Sequence, residues 1–231
     1  QKFPFTSKKL RQALAYAINR QELVDHIYHG EARGAQGIVA PYYKMENTPC
    51  FEDGNREKAE VLFGEALEEL GLTRENFPII TIKYPASRTA FHRICQAIQQ
   101  YWEQAFGIEV VLQKGDWPIH FKAIQKGDYE IGLMGWYAFI GDPIYMLQPF
   151  KYKNDLVNMS NWQSEEYVNL LEDANYEIDT EKRKKILTKA ERVLMDEMPV
   201  IPLYFVRQTY LKNPALIGVN LPPSGEIDFK F

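Results

Sequence analysis

The residues best suited to chemistry in this chain form one run, Gly135-Trp136-Tyr137-Ala138-Phe139-Ile140-Gly141-Asp142-Pro143. It follows a β-branched and aromatic stretch that reads as a strand over 129–136. It precedes a helix start in which Asp142 caps and Pro143 occupies the first position. Trp and Tyr combine rigid apolar area with a polar tip, the combination used in recognition rather than bond-making. In open α/β sheets the carboxyl end of a strand is where ligands bind. Two arrangements fit these residue types. One is an exposed wall for a ligand; the other is a strand running into the core with Trp136 buried.

Signatures of catalysis are sparse. The chain has no GxSxG, HExxH, GxGxxG or GxxxxGK[ST]. Gly30, Gly34 and Gly37 do not follow a strand and make a poor phosphate cradle. His26 and His29, with Glu22 one turn earlier, offer three metal-ligating residues near one helical face, which would suit a metal hydrolase. The plainer reading is a polar helix face. His92 and His120 show no partner pattern. Glu68/Glu69 and Glu165/Glu166 are sequence neighbours and do not share a helical face. Cys50 and Cys95 form no zinc or CxxC spacing; free buried thiols are expected, with one disulfide between them the alternative. No cofactor is implied.

The elements that would position these residues alternate. A first helix runs from a Thr6 or Ser7 cap through Leu10, Leu14, Ile18, Val24 and Ile27 to Gly30. A second spans Asn55 to Gly71, a third Ser87 to Gly107. A short one covers 117–126 with Asp116 as cap. A weaker helix lies near 164–176, and a last one starts at Asp179 or Thr180 and ends before Pro199. Strands are expected at Ile79–Tyr84, Ile108–Gln113, Tyr129–Trp136 and Val200–Val206. This order predicts an α/β fold with a mixed sheet flanked by helices. The loop at 30–54 is long for a compact domain, which points to a functional role. Across 231 residues, 27 Lys+Arg against 31 Asp+Glu give a net charge of −4. That balance argues against a nucleic-acid face, and the Lys182–Lys185 run is a solvated helix surface. No apolar run reaches the length of a membrane span.

Several blocks, in order, resemble the extracytoplasmic oligopeptide- and dipeptide-binding proteins of ABC importers, solute-binding protein family 5. Leu10-Arg11-Gln12-Ala13-Leu14-Ala15-Tyr16-Ala17-Ile18-Asn19-Arg20 is similar to that family's VRQALAYAIDR helix. Gly30 to Pro41, Asn55 to Gly71, Ala97 to Trp102 with Gly107 to Val110, Trp117 with Gly127 to Trp136, and Lys189 to Tyr204 resemble further blocks. The resemblance implies the second, C-terminal lobe of a two-lobed periplasmic-binding-protein type II fold. It assigns 1–206 to an α/β ligand-binding lobe and 207–231 to a return toward an N-terminal lobe preceding Gln1. It implies solute capture and no enzymatic turnover, with peptide as ligand and membrane permease subunits as partners. The location it implies is periplasmic or extracytoplasmic, with a lipid anchor borne on the preceding segment. A protein-interaction module built on the same aromatics is the other alternative to a hydrolase.

The site residues so implied are Trp117, Gly135, Trp136, Tyr137, Ala138 and Phe139. Gly135 to Tyr137 would offer main-chain bonds and aromatic walls to a peptide backbone, and Trp117 would line a side-chain pocket. The family pattern is GW.ADY..P, whose Asp pairs with a ligand's amino terminus. Here Phe139 stands at that place. A buried ammonium without its carboxylate costs about 2–5 kcal/mol, so an unanchored amine is expected. Asp142 is the nearest carboxylate, in a position that suits capping.

Overall fold

A computed structural model describes residues 2–45, 48–137, 140–207, 211–213, 215 and 218 of the chain. Most of the expected return segment at 207–231 lies outside the described residues, and so do Ala138 and Phe139.

The stretch expected to be one opening helix is two, α1 (Lys8–Tyr16) and α2 (Arg20–Tyr28). Ser7 caps α1 as expected, but Asn19 leaves helical geometry and caps α2 by accepting from the Glu22 N–H at 3.0 Å. The break has a physical cause in Arg20, which is fully buried. Its guanidinium takes the carbonyls of Ala15 and Ile18, which a continuous helix would occupy. It also takes the Pro202 carbonyl and pairs with Asp53 at 2.8 Å. A buried charge requires such partners.

Next come a short strand β1 (Ala32–Gly34) and helix α3 (Arg56–Leu70). The long loop therefore holds a strand that periodicity did not reveal. Asn55 caps α3, and Gly71 closes it in the left-handed conformation at φ 66°, which glycine adopts without penalty. The central unit is β2 (Ile80–Pro85), α4 (Thr89–Phe106), β3 (Val110–Gly115), α5 (Trp117–Gln125) and β4 (Ile131–Gly132). Arg88 rather than Ser87 precedes α4, and Gly107 ends it.

These strands form a three-stranded sheet in the order β3-β2-β4, parallel throughout, with the helices as crossovers. The mixed sheet of the expectation is thus a parallel sheet plus a separate antiparallel ribbon. The ribbon joins β1 to β5 (Tyr204–Val206), pairing Ala32 with Val206 and Gly34 with Tyr204. The expected strands 129–136 and 200–206 shorten to Ile131–Gly132 and Tyr204–Val206. Only the residues with a paired neighbour keep the ladder.

Between these units lie α6 (Ile144–Leu147), α7 (Glu165–Tyr176) and α8 (Thr180–Glu197). Ser164 and Asp179 cap the last two. Alternation along β2 buries Ile80, Ile82 and Tyr84 against Ile94, Ile98 and Trp102 of α4. The Trp102 indole N–H donates to the Leu14 carbonyl at 2.9 Å, joining sheet layer to α1. Arg11 of α1 donates to the Glu197 carbonyl, fastening the α7–α8 hairpin to the same core.

Candidate ligand-binding edge

The carboxyl ends of β2, β3 and β4 share one edge of the parallel sheet. Trp117 opens α5 two residues after β3 ends, and Gly135 to Tyr137 follow β4 by three to five residues. Both aromatic groups therefore come to that edge by topology. None of the described rings is sunk in the interior: Trp117 is 45% exposed, Trp136 43% and Tyr137 53%. The Trp117 ring stacks on Phe121 at 5.6 Å between centroids, and Trp136 lies 6.4 Å from Tyr145. The sequence left open whether these rings form a wall or part of the core; the described ones stand at the surface. Ala138 and Phe139 are outside the described residues, and their placement is not part of this geometry.

The backbone leaves the sheet here. The Leu133 N–H still donates to Lys83 at 2.8 Å, but Met134 to Tyr137 belong to no strand. His120, buried on α5, holds the departure point: its Nε2 lies 2.9 Å from the Leu133 carbonyl. A carbonyl only accepts, so Nε2 carries the proton. Burial holds His120 below the usual imidazole range, keeping it neutral in that role.

Further tyrosines border the edge. The Tyr28 hydroxyl donates to that of Tyr204 at 2.8 Å, with ring centroids 4.8 Å apart. Burial, then the Tyr28 bond, push the Tyr204 phenol far above its ordinary range, with Tyr137 close enough to add to the effect. At the end of β2, buried Tyr84 meets His92 Nδ1 at 2.7 Å. Burial raises the Tyr84 phenol, so it stays protonated and donates. Sequence reading gave neither histidine a partner and passed over Tyr28 and Tyr204. Position was the missing signal, since both Tyr84 and Tyr204 sit in β-type runs.

Asp142 has other work than counter-ion to an amine. Its carboxylate accepts from the Ile144 N–H at 2.9 Å and from both terminal nitrogens of Arg183, at 3.0 and 3.1 Å. On the preceding turn, the Tyr43 hydroxyl donates to the Ile140 carbonyl at 3.2 Å.

The residues considered for metal do not converge. Glu22 accepts from the Tyr101 hydroxyl at 3.0 Å, and His29 lies beyond the end of α2 at φ 48°. Among the described residues no group of three or more His, Cys, Asp or Glu is placed to hold a metal ion. Cys50 and Cys95 are free, and burial pushes both thiols up to about 12. They are poor nucleophiles at neutral pH. A groove of about 560 Å³ lined by Trp162, Glu166, Lys189 and Arg192 lies on the α7–α8 face, and no predicted site residue lines it.

A three-stranded parallel sheet with crossover helices and a separate antiparallel ribbon is the architecture of the periplasmic-binding-protein type II fold, which the chain shares with the solved structures it resembles. The profile of the bacterial extracellular solute-binding proteins, family 5 Middle, matches residues 1–158, and the chain belongs to that family. It is 34% identical over 231 residues to the oligopeptide-binding protein OppA of Bacillus subtilis, covering 98% of this chain and 42% of that protein. It is 28% identical to the dipeptide-binding protein DppE of the same organism, covering 99% of this chain and 42% of that one. Among solved structures, the periplasmic oligopeptide-binding protein OppAIV of Borrelia burgdorferi superposes with a TM-score of 0.81 at 26% identity. That match covers 90% of this chain and 42% of the Borrelia chain. The chain thus spans under half the length of these relatives.

Proposed function

We propose that the protein containing this chain captures peptides outside the cytoplasm and delivers them to an ABC importer, with this chain forming one wall of the binding cleft. It acts by binding alone, without turnover. The observation that carries the reading is the exposure of Trp117, Trp136 and Tyr137 beside a backbone segment that has left its sheet. Unpaired backbone groups at such an edge accept an extended peptide as an added strand, and aromatic walls take its side chains without demanding a sequence. Each main-chain bond contributes only about 0.5–1.5 kcal/mol, so capture needs several, and a second wall to exclude water. The names of the relatives, oligopeptide- and dipeptide-binding proteins, support the ligand class. Anchoring by a lipid outside the cytoplasmic membrane and delivery to permease subunits belong to the same proposal.

The test is titration of the intact protein, stripped of bound ligand by unfolding and refolding, with tri-alanine and penta-alanine. Tryptophan fluorescence should change saturably, and Trp136→Ala should abolish most of the change. Absence of any response to peptides of two to six mixed residues, with mass spectrometry finding no co-purified peptide, would sink the reading.

A further inference from the structure

The turn that follows the aromatic segment is held by helix α8. Arg183 of α8 grips Asp142 with two parallel bonds at 3.0 and 3.1 Å. Its Nε donates to the Ala174 carbonyl in the last turn of α7, at 2.8 Å, so the guanidinium is itself fixed in orientation. Two helical turns along, Glu191 is buried and accepts the Val39 N–H at 2.8 Å. Val39 leads directly into the turn Pro41–Tyr43, whose Tyr43 hydroxyl holds the Ile140 carbonyl. Arg183, Leu187 and Glu191 recur every four residues, placing both grips on neighbouring stripes of one helix. The same helix therefore holds the segment Ile140–Asp142 twice: directly through Arg183, and through the 37–43 loop by way of Glu191.

We infer that Arg183 and Glu191 are positioning residues for ligand capture: α8 acts as a bracket that sets where Trp136 and Tyr137 stand. This rests on the proposed function for its ligand, but not for its geometry. The pair Arg183–Asp142 is partly exposed, with side chains 23% and 36% accessible. Such pairs contribute little to overall stability, so its planar two-point geometry matters for orientation more than for holding the fold. A segment correctly placed only a tenth of the time would bind about tenfold more weakly, since apparent affinity scales with the competent fraction.

The experiment uses the intact protein labelled with 5-fluorotryptophan, the resonances of this chain's four tryptophans assigned by single Trp→Phe changes. Without ligand, Arg183→Gln should shift or broaden the Trp136 resonance while that of core Trp102 stays in place. Affinity for tri-alanine or penta-alanine should fall about tenfold or more, with Arg183→Lys in between. An unchanged Trp136 resonance, or unchanged affinity, overturns the inference. Should Arg183→Gln fail to fold, Asp142→Asn and Tyr43→Phe remove single bonds with little change in volume and are read the same way; if both leave Trp136 unmoved, the bracket does not exist. If the wild-type protein binds neither peptide, the proposed function fails, and the ligand-free resonance alone decides the bracket.

Discussion

Gly132 lies in β4, immediately before the aromatic segment, and faces the helix that carries Trp117. A Cβ built there would lie 2.2 Å from the Ile124 Cδ1 and 3.4 Å from a Tyr129 ring carbon. Ordinary carbon contacts are about 3.5–4.0 Å, so a methyl demands a shift of more than about 1 Å. Ile124 is 2% exposed and has little room to move. Overpacking of this kind costs about 1–3 kcal/mol. Alanine restricts the unfolded chain and returns about 0.4–1 kcal/mol, because Gly132 does not occupy the left-handed region. Gly132→Ala should therefore destabilise by up to about 2.6 kcal/mol, and by about 1.3 kcal/mol at the middle of both ranges. Ile124→Val deletes the offending Cδ1 and alone costs about 0.5–1.5 kcal/mol. Combined, the new methyl fills the space that the old one leaves, so the double variant should be less destabilised than the two single costs summed. The favourable coupling should be about 1 kcal/mol, beyond the roughly 0.3–0.5 kcal/mol within which independent sites add. Urea unfolding of all four proteins, at constant m, measures it. Costs that add within about 0.5 kcal/mol would refute the close approach of β4 to α5, and with it the account of how Trp117 and Trp136 come to one edge.

Three further outcomes are expected. Burial raises the Glu191 carboxyl above its ordinary range, so the folded state holds that proton more tightly than the unfolded chain. Its contribution to stability is complete below the unfolded value and lost as pH rises through the raised one; in that window wild-type stability should fall with pH more steeply than that of Glu191→Gln, and equal slopes in urea melts would contradict it. Gly37→Ala places a Cβ 2.4 Å from the Glu191 Oε1, displacing the carboxylate from the buried Val39 N–H at about 1–3 kcal/mol, which thermal melts would reveal as a lowered Tm. Phe139→Asp in the intact protein should favour free-amine peptides over N-acetylated ones by about 30-fold or more, read by competition titration; no change in that ratio would mean the amine is held elsewhere.

Helix ends were legible where a residue's local chemistry decides them. Ser7, Asn55, Asp179, Gly71 and Gly107 act where their types say they should, because capping is a short-range effect. The break at Asn19 was not legible. Apolar spacing continues across it, and its cause is the burial of Arg20, whose guanidinium takes the Ala15 and Ile18 carbonyls and is held inside by a carbonyl 182 residues away. The same limit hid β1, whose three residues lack alternation and owe their conformation to β5. At the site, the aromatic run announced itself by composition, but residue types fit an exposed wall and a buried strand equally, and only the structure shows Trp117, Trp136 and Tyr137 at the surface. Its supports, His120, Tyr43, Arg183 and Glu191, did not announce themselves, since each acts across tertiary distance and carries no local pattern.

The long-range bonds of Arg20 also set a timetable for synthesis. The guanidinium's Pro202 partner emerges 182 residues later, about 9–36 s at ribosomal speeds of roughly 5–20 residues per second. Until then the opening helices have a cationic group committed to an interior that does not yet exist, and β1 lacks its only ladder partner among the described residues. The β1–β5 ribbon can therefore close only after Tyr204–Val206 has been made, which makes that ribbon a clasp joining two stretches far apart in the sequence.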